Sequence, residues 1–425
     1  KKDTAAGARG EDIKLKLAVD YRKLNAATEI DAGLLGDQAD ILECFHNRPH
    51  VSLCDAAGGF YQFKIDPDDV HKTCFVLPSA AGGTSFVWTV APYGLTNMPA
   101  TYSRAMMHFL AGLTDYSLGQ WPDPLEAKPD SPPQSLGEGT VFSWLDDITI
   151  ATGSAAPRLG VRGHCTMLDR VFKRLIAAGM TLKASKAHIL RQDLEVLGFI
   201  ITPDGTKPNP EKVEAIKRMP SVCANQKELL RFLGMINFQR RFICRLGHIA
   251  APLYRMLQKD AAAKWEWKAE HTAAINALKA ALQKHALLNH PDLKDPRASM
   301  VIMTDASDVA AGAVLMQWQR TPTYPGEPPD LELDACEKDD FLTQHRARIA
   351  DGYQLVILGY FAKSFSGPQL NWAIYDKEAA SILLALRHWY RLVTARETTV
   401  YTDNTVAASI LSNHKVPRPA RLVRW

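Results

Sequence analysis

Hydrophobic positions along this chain form short runs, several of which end at acidic residues. Residues 51–54 are such a run and lead to Asp55, and the apolar stretch 141–150 encloses the adjacent pair Asp146 and Asp147. Neighbouring side chains of a strand point to opposite faces, so two consecutive aspartates converge only at a tight hairpin tip. The pattern therefore predicts a strand that ends at Asp55 and a hairpin that carries the acidic pair.

Helical spacing of apolar residues marks further stretches of the chain. Residues 167–176, 228–242 and 376–392 are predicted helices, and residues 183–202 are predicted strands that lead to the turn sequence 203–205. The apolar stripe of the second helix leaves three basic residues outside much of it: Arg231, Arg240 and Arg241.

A strand that ends at an acid occurs again near the end of the chain. Residues 301–304 lead to Asp305, residues 399–402 lead to Asp403, and Glu378 lies on the third predicted helix. Taken singly, each of these acids is more often a cap of its own element than a metal ligand. Clustered carboxylates repel one another, however, and an oxygen-seeking cation such as Mg²⁺ removes that conflict.

Composition indicates a globular protein of two or three domains, because 425 residues exceed what one core usually supports. Hydrophobic residues make up 46% of the chain and charged residues 23%. No apolar run approaches the about 18 residues of a membrane span, and no signal peptide is seen, so no membrane association is expected. Seven cysteines without a C-x-x-C pair favour reduced core thiols over zinc ligands.

The net charge of +4 is too small to identify a nucleic-acid partner. Residues 207–260 carry eleven Lys or Arg against four Asp or Glu, a local net charge of +7. This basic region suits a phosphate backbone, although a merely solvated helix face has the same composition.

Two glycines precede Phe60, so the backbone can approach a triphosphate there and the ring can exclude a 2′-hydroxyl. A plain core aromatic is the alternative interpretation. Lys14 and Lys16 alternate with apolar residues and give a strand with one basic face, suited to triphosphate oxygens or simply to solvent. Adjacent aspartates at a hairpin tip likewise occur in solvent-exposed turns.

Ordered motifs extend these observations over nearly the whole chain: residues 19–25, Asp55 with Phe60, residues 91–101, Trp144 to Asp147, residues 197–199 and residues 228–242. In this order they resemble the reverse transcriptase and RNase H segment of gypsy-type LTR retrotransposon polyproteins. The resemblance implies an α+β fold, a right-hand polymerase with fingers, palm and thumb followed by a truncated RNase H-like α/β domain. It divides the chain into partial fingers and palm (1–204), thumb and connection (205–291) and the RNase H-like domain (292–425), with surface insertions at 113–140 and 321–351.

The resemblance also implies roles for particular residues. Asp55, Asp146 and Asp147 would be catalytic metal ligands of the polymerase, and Asp305, Glu378 and Asp403 would be those of the nuclease. The dNTP would contact Lys16, Gly58, Gly59, Phe60 and Tyr93. Template and primer would contact Arg22, Asn25, Gly94, Leu197, Gly198, Phe199, Arg231, Arg240 and Arg241.

Some positions depart from the family pattern. Lys16 stands where Arg is commoner, Tyr93 where some reverse transcriptases carry Gln, and Trp144 where Tyr or Phe is usual. The family completes its nuclease site with a later acid, and the chain stops at Trp425 before it. We therefore expect weaker nuclease activity, with a stronger response to Mn²⁺ than to Mg²⁺, and we expect residues 1–3 to lie inside a fingers hairpin.

The predicted function is RNA-directed DNA polymerisation from dNTPs on a primed RNA or DNA template, with two Mg²⁺ per active site, for which Mn²⁺ can substitute. The RNase H-like domain would cleave the RNA of RNA–DNA hybrids. An intracellular, cytoplasmic particle with a nuclear phase is the expected location. The alternatives are a decayed or domesticated fragment that binds nucleic acid without catalysis, and a host or intron-encoded reverse transcriptase.

Overall fold

The computed structural model of the chain describes residues 17–31, 45, 48, 50–77, 83–111, 113, 139–153, 160–257, 265–284, 287–292, 295–320, 343–394 and 396–412. These residues form two compact units. Unit 1 spans residues 1–44 and 48–194, and unit 2 spans residues 45–47 and 195–425.

Unit 1 is built on an antiparallel sheet. Its strands are β1 (His50–Asp55), β2 (Phe75–Leu77), β3 (Thr84–Phe86), β4 (Gly139–Trp144), β5 (Asp147–Thr152) and β6 (His188–Arg191). The sheet has the order β4-β5-β1-β6, and β2 pairs with β3 as a separate hairpin. Its helices are α1 (Arg22–Ala27), α2 (Met98–Phe109) and α3 (Gly160–Ala177).

The core of unit 1 lies between this sheet and its two longer helices. Tyr102 and Met106 of α2 pack in one cluster with Ile148 of β5 and Val171 of α3, because all four positions face inward at strand or helix spacing. The predicted helix over 167–176 is confirmed, although Ile176 is 74% exposed rather than part of the stripe.

Unit 2 contains two sheets. Strands β7 (Leu194–Val196), β8 (Phe199–Thr202), β9 (Gly205–Pro208) and β10 (Leu288–Asn289) form the first, in the order β10-β9-β8-β7. Strands β11 (Met300–Ala306), β12 (Ala310–Arg320), β13 (Tyr353–Ser364) and β14 (Thr398–Thr402) form the second. Its order is β13-β12-β11-β14, and β14 runs parallel to β11.

Its helices are α4 (Pro210–Arg218), α5 (Gln226–Phe238), α6 (Leu246–Ile249), α7 (Ala251–Arg255), α8 (Ala269–Lys284), α9 (Arg346–Ala350), α10 (Ile374–His388), α11 (Tyr390–Thr394) and α12 (Thr405–Ser412). The helix predicted over 228–242 begins at Gln226 and ends at Phe238, and residues 240–242 form a separate 3-10 turn. Asn225 fixes the start, since its side chain accepts a hydrogen bond from the Glu228 amide. The helix predicted over 376–392 is divided between α10 and α11.

Parts of the two expected insertions belong to the described residues. Leu113 and Thr140 are buried, and β4 already includes the end of the first insertion. The second insertion ends in α9, and residues 114–138 and 321–342 lie outside the described part of the chain. The expected division at residue 204 and the expected consequences of the chain end stay predictions.

The cysteines are only partly core residues. Cys54 and Cys223 are buried, whereas Cys74 and Cys165 are exposed. None of the helices described is both long enough and apolar enough to cross a membrane.

Candidate active sites

A tight hairpin carries the acidic pair, as the sequence predicted. Trp144 of β4 pairs with Asp147 of β5, which leaves Leu145 and Asp146 as the two loop residues. Leu145 adopts a positive φ of 51°, the backbone conformation that such short loops require. Asp146 therefore lies at the tip, and Asp147 begins the returning strand.

The end of β1 lies directly beside this hairpin. Asp55 is the cross-strand partner of Asp147, so the two side chains share one face of the sheet. The Ala56 amide donates a hydrogen bond to the Asp146 carbonyl at 2.8 Å. These backbone contacts bring Asp55, Asp146 and Asp147 together at one end of the sheet.

Gly59 is required by this arrangement. A Cβ atom built on Gly59 would lie 2.1 Å from Oδ1 of Asp146 and 3.0 Å from the Tyr102 ring. The preceding Gly58 has a φ of 65°, which favours glycine. The glycine pair thus makes room for a carboxylate, a reason that the sequence analysis did not give.

Burial is the main cause that raises the pKa of Asp146, and the neighbouring Asp55 carboxylate raises it further. Lys186 and the Tyr93 hydroxyl act in the opposite direction. The Oδ1 atom of Asp146 is buried and has no hydrogen-bond partner among the described residues. An acceptor in this state suits a hard cation, which carboxylate oxygens bind.

Lys186 is a residue that the sequence analysis missed. Its Nζ lies 2.6 Å from Oδ2 of Asp55, although the two residues are 131 positions apart. Lys186 ends a 3-10 turn before β6, within the stretch 183–202 that the sequence predicted as strands, and nothing in the sequence singled it out. The ion pair leaves the cluster of three aspartates with a partial counter-charge.

Phe60 and Tyr93 lie next to the aspartates and differ in exposure. Phe60 is 8% exposed, and its ring centroid lies 5.0 Å from that of Tyr93 and 5.4 Å from that of Tyr102. Tyr93 is 46% exposed. Phe60 is thus a core aromatic at the edge of the site, while Tyr93 presents its ring to the surface.

The predicted fingers residues are placed in different ways. The Asn25 amide nitrogen donates to the Gly94 carbonyl at 2.8 Å, and its oxygen accepts from the Thr96 amide at 3.0 Å. Asn25 therefore holds the loop that contains Gly94. Arg22 is exposed and pairs with Asp20, and Lys16 lies outside the described residues.

The hairpin at residues 197–199 packs against α5. Leu197 and Gly198 both have positive φ values, 52° and 82°. Phe199 stacks on Phe238 with ring centroids 4.9 Å apart, and Lys212 donates to the Gly198 carbonyl at 3.2 Å. The φ of 82° at Gly198 favours glycine, and the Lys212 ammonium group lies close to the space that a side chain there would occupy.

The basic residues of the thumb region are not equivalent. Arg231 and Arg240 are exposed. Arg241 is half-buried, with its guanidinium carbon 5.9 Å from the centroid of the Phe199 ring. The sequence placed all three arginines outside much of the apolar stripe, and Arg241 departs from that expectation because its guanidinium group packs beside the Phe199 ring.

A second acidic cluster forms in unit 2. Asp305 lies near the end of β11, Asp403 directly follows β14, and Glu378 lies on α10. The parallel register pairs Thr304 with Thr402, so Asp305 and Asp403 lie at the same end of the two strands. One carboxylate oxygen from each of the three acids lies within 4.8 Å of the others.

Glu378 is the buried member of this cluster, with an exposed fraction of 3%. Burial raises its pKa to about 7, assisted by the Asp403 and Asp305 charges and opposed by a hydrogen bond from the Ala306 amide. Its Oε2 atom has no hydrogen-bond partner in the described part of the chain. A converging set of carboxylate oxygens with a buried, unpaired acceptor fits a divalent cation.

Comparisons with known families match two segments of the chain. The reverse transcriptase (RNA-dependent DNA polymerase) family profile matches residues 12–201. The profile of the RNase H-like domain found in reverse transcriptase matches residues 295–425. Each match contains one complete acidic cluster.

The chain also resembles transposon polyproteins along its whole length. The retrovirus-related Pol polyprotein from transposon 297 of Drosophila melanogaster is 28% identical over 425 residues, 100% of this chain and 33% of that polyprotein. The transposon Tf2-3 polyprotein of Schizosaccharomyces pombe is 26% identical over 413 residues, 97% of this chain and 26% of that polyprotein. The chain thus spans about a third or less of these relatives.

Among solved structures, the foamy viral protease-reverse transcriptase resembles the chain in fold. The form described as dRH in complex with double-stranded DNA is 22% identical, with a TM-score of 0.66, and the match covers 96% of this chain and 59% of the viral chain. The complex with an RNA/DNA hybrid matches 96% and 46%, at 20% identity and the same TM-score. The predicted fold class is confirmed, and the chain carries a segment that matches the reverse transcriptase family, followed by one that matches the RNase H-like domain found in reverse transcriptase, as is consistent with its similarity to transposon polyproteins.

Proposed function

We propose that the chain is the RNA-directed DNA polymerase of a gypsy-type retrotransposon and extends a primer with dNTPs. The observation that carries this proposal is that the strand register places Asp55, Asp146 and Asp147 at the same end of one sheet. That end lies within the segment matched by the reverse transcriptase family.

Asp55, Asp146 and Asp147 would hold the divalent cations, Mg²⁺ or Mn²⁺, which supply charge stabilisation to the attacking and leaving oxygens of a phosphoryl transfer. The hairpin and the β1–β5 register place the three residues at the same end of the sheet. Lys186 neutralises part of the charge at Asp55. This pairing lowers the repulsion that would otherwise favour a protonated aspartate.

The incoming dNTP would lie against Gly58, Gly59, Phe60 and Tyr93, with Lys16 toward its phosphates. Tyr93 offers an exposed ring beside Asp146, which suits contact with a sugar. Phe60 supports Tyr93 from the core, and its bulk limits the space available to a 2′-hydroxyl.

The template and primer would contact the basic residues of unit 2 and the hairpin at 197–199. Arg231 and Arg240 are exposed and available to phosphates. Phe199 stacks on Phe238 of α5 and Lys212 binds the Gly198 carbonyl, so the hairpin of Leu197, Gly198 and Phe199 is held beside these charges. In unit 1, Arg22 is an exposed cation, and the hydrogen bond from Asn25 to the Gly94 carbonyl holds the loop that contains Gly94. Arg241 would support the nucleic-acid contact indirectly, by packing beside Phe199.

A second activity, cleavage of RNA in RNA–DNA hybrids, is favoured by the cluster of Asp305, Glu378 and Asp403. Their oxygens converge within 4.8 Å inside the RNase H-like match, and Glu378 keeps an unpaired buried oxygen. These residues would bind a divalent cation that supplies a water nucleophile at the RNA phosphate. An intracellular particle, cytoplasmic with a nuclear phase, is the location that suits a retrotransposon polyprotein.

Primer extension on the purified chain tests the proposal. The chain should extend a DNA primer on an RNA template with Mg²⁺ and dNTPs, and the reaction should stop on addition of a chelator. Binding of an RNA–DNA hybrid without any extension would favour the decayed, binding-only alternative.

A further inference from the structure

The nuclease cluster already contains a cation supplied by the chain itself. The guanidinium group of Arg245 places Nε 3.2 Å and Nη2 2.9 Å from Oδ2 of Asp305. Asp305 is one of the three acids whose oxygens converge. Both bonds end on the same oxygen, so a candidate metal ligand is held by a fixed positive charge.

The backbone holds Arg245 in this position. Arg245 has a φ of 51° and precedes α6, and its carbonyl accepts hydrogen bonds from the amides of His248 and Ile249. Helix α6 packs closely on β12, because a Cβ atom built on Gly247 would lie 2.7 Å from the Cβ atom of Ala310. A left-handed conformation is unusual for a residue with a side chain, so the packing of α6 on β12 maintains it.

We propose that Arg245 is a built-in counter-ion that competes with the divalent cation for Asp305 and so sets the cation concentration at which the nuclease site is filled. The proposal rests on the proposed nuclease function and adds a residue that tunes its metal affinity. Arg245 is a positioning residue in this account, because it acts through Asp305.

Two properties of the ion pair allow Arg245 to compete with a divalent cation for Asp305 without excluding it. A guanidinium group stays protonated at any physiological pH, so Arg245 cannot be neutralised by proton loss. The side chains of Arg245 and Asp305 are 56% and 50% exposed, so water and salt screen their attraction. A divalent cation can therefore displace the guanidinium group, at the cost of an exposed ion pair.

The chain offers a clean variant for the test. Arg245→Gly removes the cation and suits the positive φ, so it should not strain the backbone. Arg245→Lys keeps the charge. Arg255→Ala removes an exposed charge at the end of α7, where its electrostatic influence falls on His271. All variants are made in the full chain with Asp146→Asn, which weakens the polymerase cluster as a competing site.

The measurement is the dissociation constant for Mn²⁺, obtained from the paramagnetic resonance signal of the free ion, with circular dichroism as the check of folding. Arg245→Gly should bind Mn²⁺ about 2- to 5-fold more tightly, the range equivalent to an exposed ion pair. Arg245→Lys and Arg255→Ala should stay near the parent value. The gain of Arg245→Gly should shrink as the KCl concentration rises.

Unchanged or weaker Mn²⁺ binding by folded Arg245→Gly would overturn the proposal. Asp305→Asn separates this failure from that of the nuclease function. If Asp305→Asn weakens Mn²⁺ binding while Arg245→Gly changes nothing, only the competition is rejected. If Asp305→Asn has no effect on Mn²⁺ binding, the acidic cluster is not the metal site, and the proposal and the nuclease function fail together.

Discussion

The two acidic clusters contain three carboxylates each but are assembled in different ways. Asp55, Asp146 and Asp147 come from a hairpin and its neighbouring strand, so backbone register alone brings them together. Asp305, Glu378 and Asp403 come from two parallel strands and a helix, so only packing of α10 on the sheet completes the set. In both, a basic residue pairs with the aspartate of the first strand, Lys186 in one case and Arg245 in the other.

This difference affects the protonation of each site. The hairpin cluster has half-buried aspartates and a lysine 2.6 Å from Asp55. The nuclease cluster has one almost fully buried glutamate, and its pKa is raised to about 7. A site built by packing a helix on a sheet buries its central acid, whereas a hairpin tip stays closer to solvent.

The largest expected effect is the separate loss of two activities. Asp146→Asn should lower primer extension by about 10³-fold or more, because it removes charge stabilisation at the transferred phosphate, while hybrid binding and RNA cleavage persist. Asp305→Asn should lower RNA cleavage and leave extension unchanged. Asp169→Asn, at an exposed position on α3, is the matched control in both assays.

Wild-type extension by Asp146→Asn would end the polymerase assignment. Loss of both activities in either variant would show that the two clusters depend on each other.

The next effect is an opposite pH dependence of stability in the two units. The pKa of Glu378 rises from 4.5 to about 7 on folding, so between these values only the folded state keeps the proton. The free energy of unfolding of unit 2 should therefore fall as the pH rises through this window, by at most about 3 kcal/mol, and Glu378→Gln should abolish that fall. By the same argument, cation binding at the cluster should strengthen as the pH rises through 7.

In unit 1, His164 is buried between Ser52 and Thr152, and burial lowers its pKa from 6.5 to about 4. Only the unfolded state then binds the proton between these values. Stability of unit 1 should be lost as the pH falls from 6.5 to 4, and His164→Gln should flatten this loss. Amide hydrogen exchange in β5 and in α10 reports the stability of the two units separately. The same dependence of stability on pH in both units would contradict the prediction.

A smaller effect is expected on sugar selection, which only the polymerase site performs. Phe60→Val should reduce discrimination against ribonucleotides by about 10- to 100-fold, because a bulky residue beside Tyr93 limits the space for a 2′-hydroxyl. Phe63→Val is the matched control, since Phe63 packs on the same Tyr102 ring. The measurement is the ratio of incorporation rates for dNTP and NTP, and an equal ratio in both variants would leave Phe60 a core residue only.

The smallest effect is on the salt dependence of hybrid binding. Arg240→Ala should reduce the slope of log affinity against log salt by about one, as expected for one lost phosphate contact. Arg162→Ala removes an exposed charge of α3 and should leave the slope unchanged. Arg241→Ala is less informative, because it also removes packing on Phe199. Salt-independent binding would reject an electrostatic thumb.

Local spacing was sufficient for much of this fold and site. The hairpin at Asp146, the strand that ends at Asp55 and the helices α3, α5 and α10 all follow from periods of two or about 3.6 residues, which reflect backbone geometry within one element. Element ends were less accurate, as at residues 239–242, because a 3-10 turn continues the spacing of a helix for only a few residues.

The sequence by itself determined the elements, the family motifs and the acids of both clusters. The tertiary structure decided which distant groups meet: Lys186 with Asp55, Arg245 with Asp305, and Glu378 with the Ala306 amide. It also decided that Gly59 makes room for Asp146 and that Phe60 is buried while Tyr93 is not. The physical reason is that periodicity is a property of one element, whereas ion pairs, burial and steric clearance depend on the packing of elements far apart in the chain.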